Sequence, residues 1–215
     1  MINLYGYYRS SAAYRVRIAL QLKGLEWQNV PVNLLVGEQK EHAFRQLNPQ
    51  GLVPTLSMED TLLSQSLAII EWLDEEYPQV ELLPRGAIEK AQVRGLAYQV
   101  AMEIHPLNNL RVVKYLKDDL ALDESQKMNW YRHWIAQGFS ALEQSLQQVN
   151  CQGRYCFGEK PTLADICLIP QVYNALRFDC EMRDYPLING VWQHCNSLTA
   201  FQTALPEAQV DSPKN

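Results

Sequence analysis

The strongest constraint on the fold is the alternation of strand and helix signals over the first 77 or so residues. Ile2 to Gly6 reads as a strand, Ser11 to Lys23 as a helix that Gly24 stops, and Trp27 to Asn33 as a second strand. A strand, a crossover helix and a strand make a βαβ unit, so the first two strands are expected to pair in parallel. A polar helical stretch follows near Glu38 to Gln46. Leu52-Val53-Pro54-Thr55-Leu56 and Thr61-Leu62-Leu63, separated by Met58-Glu59-Asp60, then read as a hairpin. A third helix opens at Ser66, keeps Ile69, Ile70, Leu73 and Tyr77 at helical spacing, and ends before Pro78.

The order βαβ-ββα resembles a thioredoxin-like fold. Within it, Val53-Pro54 stands out, because proline cannot donate to a sheet ladder and a central strand would need a special reason to hold one. A cis bond is one such reason, since it would leave the backbone N–H and C=O of Val53 free to pair with an extended ligand; an ordinary edge-strand proline is the other. Pro78 to Gly86, with Pro84, reads as a linker. Beyond it only helices are expected. Ala87 to about Leu116 would span roughly 45 Å as one helix, with Pro106 interrupting or kinking it. A long amphipathic helix is expected from about Ser125 to Val149, with Trp130, Trp134, Ile135, Phe139, Leu142 and Leu146 facing inward. Thr162-Leu163-Ala164-Asp165 has the form of a capping box and starts a helix that runs to about Phe178. The tail from Pro206 to Asn215 is polar and expected to be mobile. The expected division is therefore an α/β domain over 1–80 and an all-α domain over 87–215.

With 215 residues and 47% hydrophobic content, such a chain can bury a core in each of two domains. A net charge of −5 argues against a nucleic-acid partner, which requires a basic face. No apolar run is long enough for a membrane span, and the first residues lack the pattern of a secretory leader, so a cytoplasmic protein is expected. The five cysteines are odd in number and confined to the C-terminal third, which suits free thiols. Their spacing and the unpaired histidines point to no metal site.

Chemistry concentrates where the first strand runs into Ser10 and Ser11. A serine caps a helix by accepting from the unpaired N–H groups of its first turn, and those groups carry the positive end of the helix dipole. An anion is favoured there, a thiolate most of all, because a hydroxyl donor and a helix N-terminus both lower a thiol pKa. No cysteine precedes Cys151, so such a sulfur would have to arrive on a ligand. Capping alone would explain an isolated Ser-Ser pair; Arg15, one turn beyond Ser11 on the same face, favours a ligand. Gln65-Ser66 repeats the arrangement at the third helix and suits a carboxylate.

Ser10-Ser11-x-x-Tyr14-Arg15-Val16-Arg17-Ile18-Ala19-Leu20 resembles the Ser-Ser-Cys-x-Trp-Arg-Val-Arg-Ile-Ala-Leu signature of zeta-class glutathione transferases. Ala12 and Tyr14 replace the family's usual Cys and Trp, leaving this turn with no thiol of its own. The resemblance extends through Val53-Pro54, where the family's proline is cis, and through Gln65-Ser66. It continues in Ile104-His105-Pro106-Leu107-Asn108-Asn109-Leu110-Arg111, which is similar to the segment lining the mouth of the family's glutathione site. It ends at Asn174-Ala175-Leu176-Arg177-Phe178.

That resemblance implies a glutathione transferase fold, a thioredoxin-like N-terminal domain followed by an all-α C-terminal domain, with Thr162 and Asp165 in a folding role. It implies that Ser10 and Ser11 hold the glutathione sulfur, Ser10 by family practice. Val53 and Pro54 would receive the cysteinyl backbone, and Gln65 and Ser66 the γ-glutamyl end. Gln39, His105, Asn109 and Arg111 would complete the glutathione site, and Arg15 with Arg177 would clamp a substrate carboxylate. The implied activity is glutathione-dependent isomerisation of maleylacetoacetate to fumarylacetoacetate, a step of tyrosine and phenylalanine breakdown. The alternatives are a zeta-like transferase acting on small α-halo acids and a non-catalytic scaffold of the same architecture. A homodimer is implied, the N-terminal module of one subunit against the helical module of the other.

Overall fold

The computed structural model describes residues 1–213. The chain divides into two compact units, one built from residues 1–82 together with the described residues from Asn196 onward, the other from residues 83–195.

In the first unit, β1 (Ile2–Gly6), β2 (Trp27–Pro31), β3 (Thr55–Met58) and β4 (Thr61–Ser64) form one sheet in the order β2-β1-β3-β4. β1 runs parallel to β2, while β3 is antiparallel to both β1 and β4. Ile2, Leu4 and Gly6 are buried and alternate with half-buried residues, the period of two expected of a strand with one face in the core. α1 (Ser11–Leu22), α2 (His42–Leu47) and α3 (Ser66–Glu76) complete this part of the chain. α1 packs on α3, and Val16, Ile18 and Leu20 of α1, Ile69, Ile70 and Leu73 of α3, and Leu4 and Leu56 of the sheet are all 0–1% exposed.

Local signals set most boundaries. α1 ends in a Schellman turn: Gly24 adopts φ 65°, its N–H donates to Gln21 O at 3.1 Å, and Leu25 N–H donates to Leu20 O at 3.0 Å. The hairpin closes on Glu59 and Asp60, with Met58 opposite Thr61 and Glu59 at φ 52°. β3 starts at Thr55 rather than Leu52, and the Val53–Pro54 peptide just before it is cis. β2 stops at Pro31, short of the expected Asn33, and the polar stretch after it splits into a 3-10 turn, Glu38–Lys40, and α2.

A buried ion pair ties down the chain leaving α3. The Lys23 ammonium, with its side chain 1% exposed, donates to Asp74 Oδ1 at 2.7 Å, Tyr77 O at 2.8 Å and Val80 O at 2.6 Å. Asp74 Oδ1 also accepts from Leu82 N–H at 2.7 Å. The ammonium thus finds three acceptors, which offsets the desolvation a buried charge must suffer.

The second unit is helical throughout: α4 (Ala87–Tyr98), α5 (Leu110–Asp118), α6 (Glu124–Gln148), α7 (Leu163–Arg177) and α8 (Pro186–Asn196), whose final residue falls in the first unit. The interruption expected at Pro106 within 87–116 is present, and it begins earlier, after Tyr98. After α4 the backbone widens into a π-helical segment, Gln99–Ile104, tightens into a 3-10 turn, His105–Asn108, and restarts as α5. Pro106 has no N–H to continue the ladder and sits in the first turn of the 3-10 segment, and Asn109 then caps α5 by accepting from Arg111 N–H at 3.1 Å.

The inward face of α6 also differs from expectation. Tyr131, Ile135, Phe139, Leu142 and Leu146 are buried, but Trp130 and Trp134 are half-buried. Each pairs edge-on with the other at 5.6 Å, and the Trp130 indole N–H donates to Leu107 O at 2.8 Å. A large ring with a polar edge settles at the margin of a core, where that edge finds a partner. Glu143 on α6 is buried for a different reason. Its Oε1 accepts from Leu187 N–H at 2.7 Å and its Oε2 from Ile188 N–H at 3.0 Å, so a carboxylate on one helix caps the first turn of α8.

The C-terminal segment departs most from expectation. α9 (Thr199–Thr203) and a 3-10 turn, Pro206–Ala208, pack on the first unit, with Phe201 and Ala204 fully buried against it. The polar residues of the expected mobile tail are bonded: Asn29 Nδ2 donates to Gln209 Oε1 at 3.0 Å, and Tyr8 N–H donates to Asp211 Oδ2 at 2.9 Å. Lys214 and Asn215 lie outside the described residues.

Candidate active site

Strand register decides which loops meet. Tyr5, near the end of β1, pairs with Thr55, the first residue of β3, and Thr55 pairs with Ser64, the last of β4. The turn after β1, the Val53–Pro54 peptide before β3 and the Gln65-Ser66 pair after β4 therefore all emerge at one end of the sheet. Three of the sequence-predicted features are brought together by hydrogen-bond pairing alone.

At the first of them, Ser10 is the N-cap of α1. Its Oγ accepts from Ala13 N–H at 3.2 Å and its carbonyl from Tyr14 N–H at 2.8 Å. Because the oxygen is the acceptor in the cap, the hydroxyl proton stays available to a partner outside the helix. Ser10 is half-buried, and Ser11, the first helical residue, is 5% exposed. Ser10 is the serine better presented to a ligand.

Gln65 caps α3 in a left-handed conformation, φ 69°, with no side-chain hydrogen bond to the helix. Its amide Nε2 instead donates to Gln50 Oε1 at 2.7 Å. Ser66 is 6% exposed and accepts at Oγ from Arg15 Nη1 at 3.4 Å. Arg15 is itself 2% exposed. Its guanidinium lies beneath the N-terminus of α3, where its charge adds to the helix dipole.

Between these two helix ends runs the loop that carries Val53. Asn48, 3% exposed, donates through Nδ2 to Leu52 O at 2.8 Å and accepts at Oδ1 from Gln50 N–H at 3.1 Å. Gly51 sits at φ 61°, and a Cβ there would lie 2.8 Å from the backbone oxygen of Gln39. Gln39 is thus pressed against the turn, with its side-chain Oε1 buried and without a partner among the described residues. None of the described residues hydrogen-bonds the backbone N–H or C=O of Val53. Asn48, Gln50 and Gly51 were not singled out from the sequence, though Asn-Pro-Gln-Gly is a turn signature that marks them. Gly51→Ala is expected to cost about 1–2 kcal/mol from the left-handed backbone alone, measured as a lower urea midpoint, and to push Gln39 out of place.

The other predicted residues belong to the second unit. His105 is half-buried in the 3-10 turn, Asn108 is buried and donates through Nδ2 to Tyr131 O at 3.0 Å, and Arg111 is exposed. The Asn109 side chain is engaged in capping α5. Arg177 is exposed in the last turn of α7, with its guanidinium 4.7 Å above the Phe178 ring. Burial raises the Tyr131 phenol far above its ordinary pKa, and the nearby charge of Arg177 pulls it down. Desolvation also raises the thiols of Cys151, Cys156 and Cys195 and pushes Cys180 up to about 11, so these four are protonated at neutral pH and supply no nucleophile.

Family models for the N-terminal and C-terminal domains of glutathione S-transferases match residues 4–81 and 133–199. The chain belongs to the glutathione S-transferase family. A probable maleylacetoacetate isomerase of Vibrio cholerae is 48% identical over 211 residues, 97% of each chain. The structure is similar to that of maleylpyruvate isomerase, described as a bacterial glutathione transferase of the zeta class, with TM-score 0.96, 45% identity and coverage of 98% of this chain and 100% of that one. It is also similar to a maleylacetoacetate isomerase of Methylobacterium extorquens AM1 bound to malonate and glutathione, with TM-score 0.94, 36% identity and coverage of 99% and 100%. Within the family, the chain is of the zeta class.

Proposed function

We propose that the chain catalyses the glutathione-dependent cis–trans isomerisation of a small unsaturated dicarboxylate, maleylacetoacetate to fumarylacetoacetate. The observation that carries this reading is the convergence, at one end of the sheet, of the Ser10 turn, the unpaired backbone of Val53 and the N-terminus of α3. The residues fit glutathione. Val53 offers one donor and one acceptor to an extended peptide, the buried and unpartnered Oε1 of Gln39 suits an N–H donor, and α3 offers first-turn N–H groups over the charge of Arg15 to a carboxylate.

Bound glutathione would supply a thiolate, a nucleophile whose reversible addition to the cis double bond would leave a single bond free to rotate. The protein's part is to keep that sulfur ionised and its substrate oriented. Ser10 donates its hydroxyl proton toward the sulfur, and the α1 dipole lowers the thiol pKa further. Gln65 and Ser66 hold the γ-glutamyl end, and Gln39, Val53 and Pro54 the cysteinyl backbone. His105, Asn109 and Arg111 serve at the mouth of the site and Arg177 at a substrate carboxylate, to which a guanidinium presents a planar fork. Malonate alongside glutathione in the Methylobacterium relative supports a dicarboxylate as substrate.

Arg177→Ala is expected to raise KM for the dicarboxylate about tenfold, the loss of one charge-assisted contact, with glutathione affinity unchanged; an unaltered KM removes Arg177 from the substrate site. The reading as a whole is tested by calorimetric titration with glutathione and by turnover of maleylacetoacetate and maleylpyruvate. It fails if glutathione does not bind at millimolar concentration or neither substrate isomerises. The same reading places the protein in the cytoplasm as a homodimer serving tyrosine and phenylalanine breakdown. No helix among the described residues is long and apolar enough to cross a membrane.

A further inference from the structure

The turn between β1 and α1 carries the serines, yet α1 begins only at Ser11, and between Gly6 and Ser11 the chain has no regular ladder to hold it. Within the turn, Ser10 N–H donates to Tyr7 O at 2.9 Å, which shapes the bend but does not fasten it to the unit. The anchor is Tyr8, two residues before Ser10. Its N–H donates to Asp211 Oδ2 at 2.9 Å. Its carbonyl accepts from Arg17 Nη2 at 3.0 Å, and the same guanidinium donates through Nε to Ala204 O at 3.1 Å.

Both backbone polar groups of Tyr8 are therefore secured by the C-terminal segment, one directly and one through Arg17. Arg17 is 2% exposed and lies 5.3 Å over the Tyr14 ring, so it has little room to move. The segment is itself fastened. Phe201 and Ala204 are fully buried, Gln209 Nε2 donates to Thr203 O and Leu205 O at 3.0 and 2.8 Å, and Gln209 Oε1 accepts from Asn29 Nδ2 at 3.0 Å. Charge-assisted bonds to a carboxylate and from a guanidinium are the stronger kind and set direction as well as distance.

We infer that Asp211 is a positioning residue for the Ser10-Ser11 turn: by holding Tyr8 it fixes where the Ser10 hydroxyl points, so a segment about two hundred residues away in sequence tunes how well a sulfur ligand is ionised. This rests on the proposed role of Ser10. The hydrogen bond from Ser10 to a thiolate weakens steeply with angle, so a turn that drifts should raise the thiol pKa and slow turnover while leaving the Val53 and Ser66 contacts to glutathione in place.

The test uses the full chain with glutathione bound. Asp211→Ala is expected to lower kcat about tenfold, as misplacement of a reacting group does, to raise the pKa of the bound thiol in a thiolate absorbance titration, and to speed amide exchange at Tyr8, with glutathione affinity within about twofold. Asp211→Asn keeps a carbonyl oxygen that accepts from Tyr8 and should restore all three. The inference is overturned if the alanine variant titrates and turns over like the parent, or if asparagine fails to restore what alanine loses. Ser10→Ala, run beside them, separates the two readings. If it raises the thiol pKa and Asp211→Ala does not, the positioning role alone falls; if neither variant moves the titration, the serine's role falls with it.

Discussion

Asp165→Ala is expected to destabilise the protein by about 4 kcal/mol, enough to cut the folded-to-unfolded ratio roughly a thousandfold. The Asp165 carboxylate is fully buried. Its Oδ1 accepts from Cys156 N–H at 2.7 Å, and its Oδ2 accepts from Thr162 N–H at 2.7 Å and Thr162 Oγ1 at 2.9 Å. It thereby closes a capping box with Thr162 and also ties the loop through Cys156 to the start of α7, whose residues from Leu163 to Val172 are all buried. Alanine would strand two buried N–H groups and leave a hole. Asp165→Asn, which keeps the volume but turns an amino group toward one set of donors, should lose about half as much. Urea unfolding measures both.

The pH dependence of that loss carries a sign. Desolvation raises the Asp165 carboxyl pKa, and the donors at Cys156 and Thr162 pull it part of the way back. A carboxyl whose folded value exceeds its unfolded value contributes most to stability below the unfolded value, and loses that share as pH rises through the folded one. The gap between the parent and Asp165→Ala is therefore expected to be at least as wide at about pH 5 as at about pH 7, and a gap that narrows on acidification would contradict the direction.

Ser10→Ala is expected to lower kcat/KM by about a hundredfold and to raise the pKa of bound glutathione, read as thiolate absorbance against pH. Two functions leave with one hydroxyl. The Ala13 N–H loses its cap, worth about 1 kcal/mol of helix stability, and the outward proton proposed to stabilise the sulfur is gone. Ser11→Ala should have the smaller effect, because Ser11 is 5% exposed where Ser10 is half-buried. Thermal unfolding separates the capping loss from the chemical one. An unchanged titration in Ser10→Ala would remove this residue from the mechanism.

What could be read from the chain before its structure was what short-range chemistry dictates. Gly24 ends α1 and Thr162 with Asp165 opens α7 because the partners in each motif lie within a few residues of one another. The hairpin around Glu59 and Asp60 and the parallel pairing of the first two strands follow from the same local patterning. The thioredoxin-like and helical halves were legible for that reason, and so were the Ser10 turn and the Gln65-Ser66 pair as helix starts. What escaped depends on distant partners. Glu143 reads as one polar residue in a helix, and only the fold brings Leu187 and Ile188 to it. Trp130 and Trp134 keep the right period but stop at the margin of the core, where the Trp130 indole edge finds Leu107 and the two rings pack edge-on. The hydrogen bond from Arg15 to Ser66 is likewise absent from the pattern, since a residue's position on a helix face does not say what that face packs against. Asp211 seemed part of a free polar tail, and nothing near it in sequence reveals the bond to Tyr8.

Because the first unit includes the residues from Asn196 onward while the helical unit is continuous from 83 to 195, order of synthesis and order of completion differ. On the ribosome β1 to β4 emerge before the residues from Asn196 onward, and Tyr8 waits for a carboxylate made 203 positions later. The intervening helices are all available to assemble before that final latch exists. Nascent chains therefore hold the turn that bears the serines without this latch until Asp211 has been made.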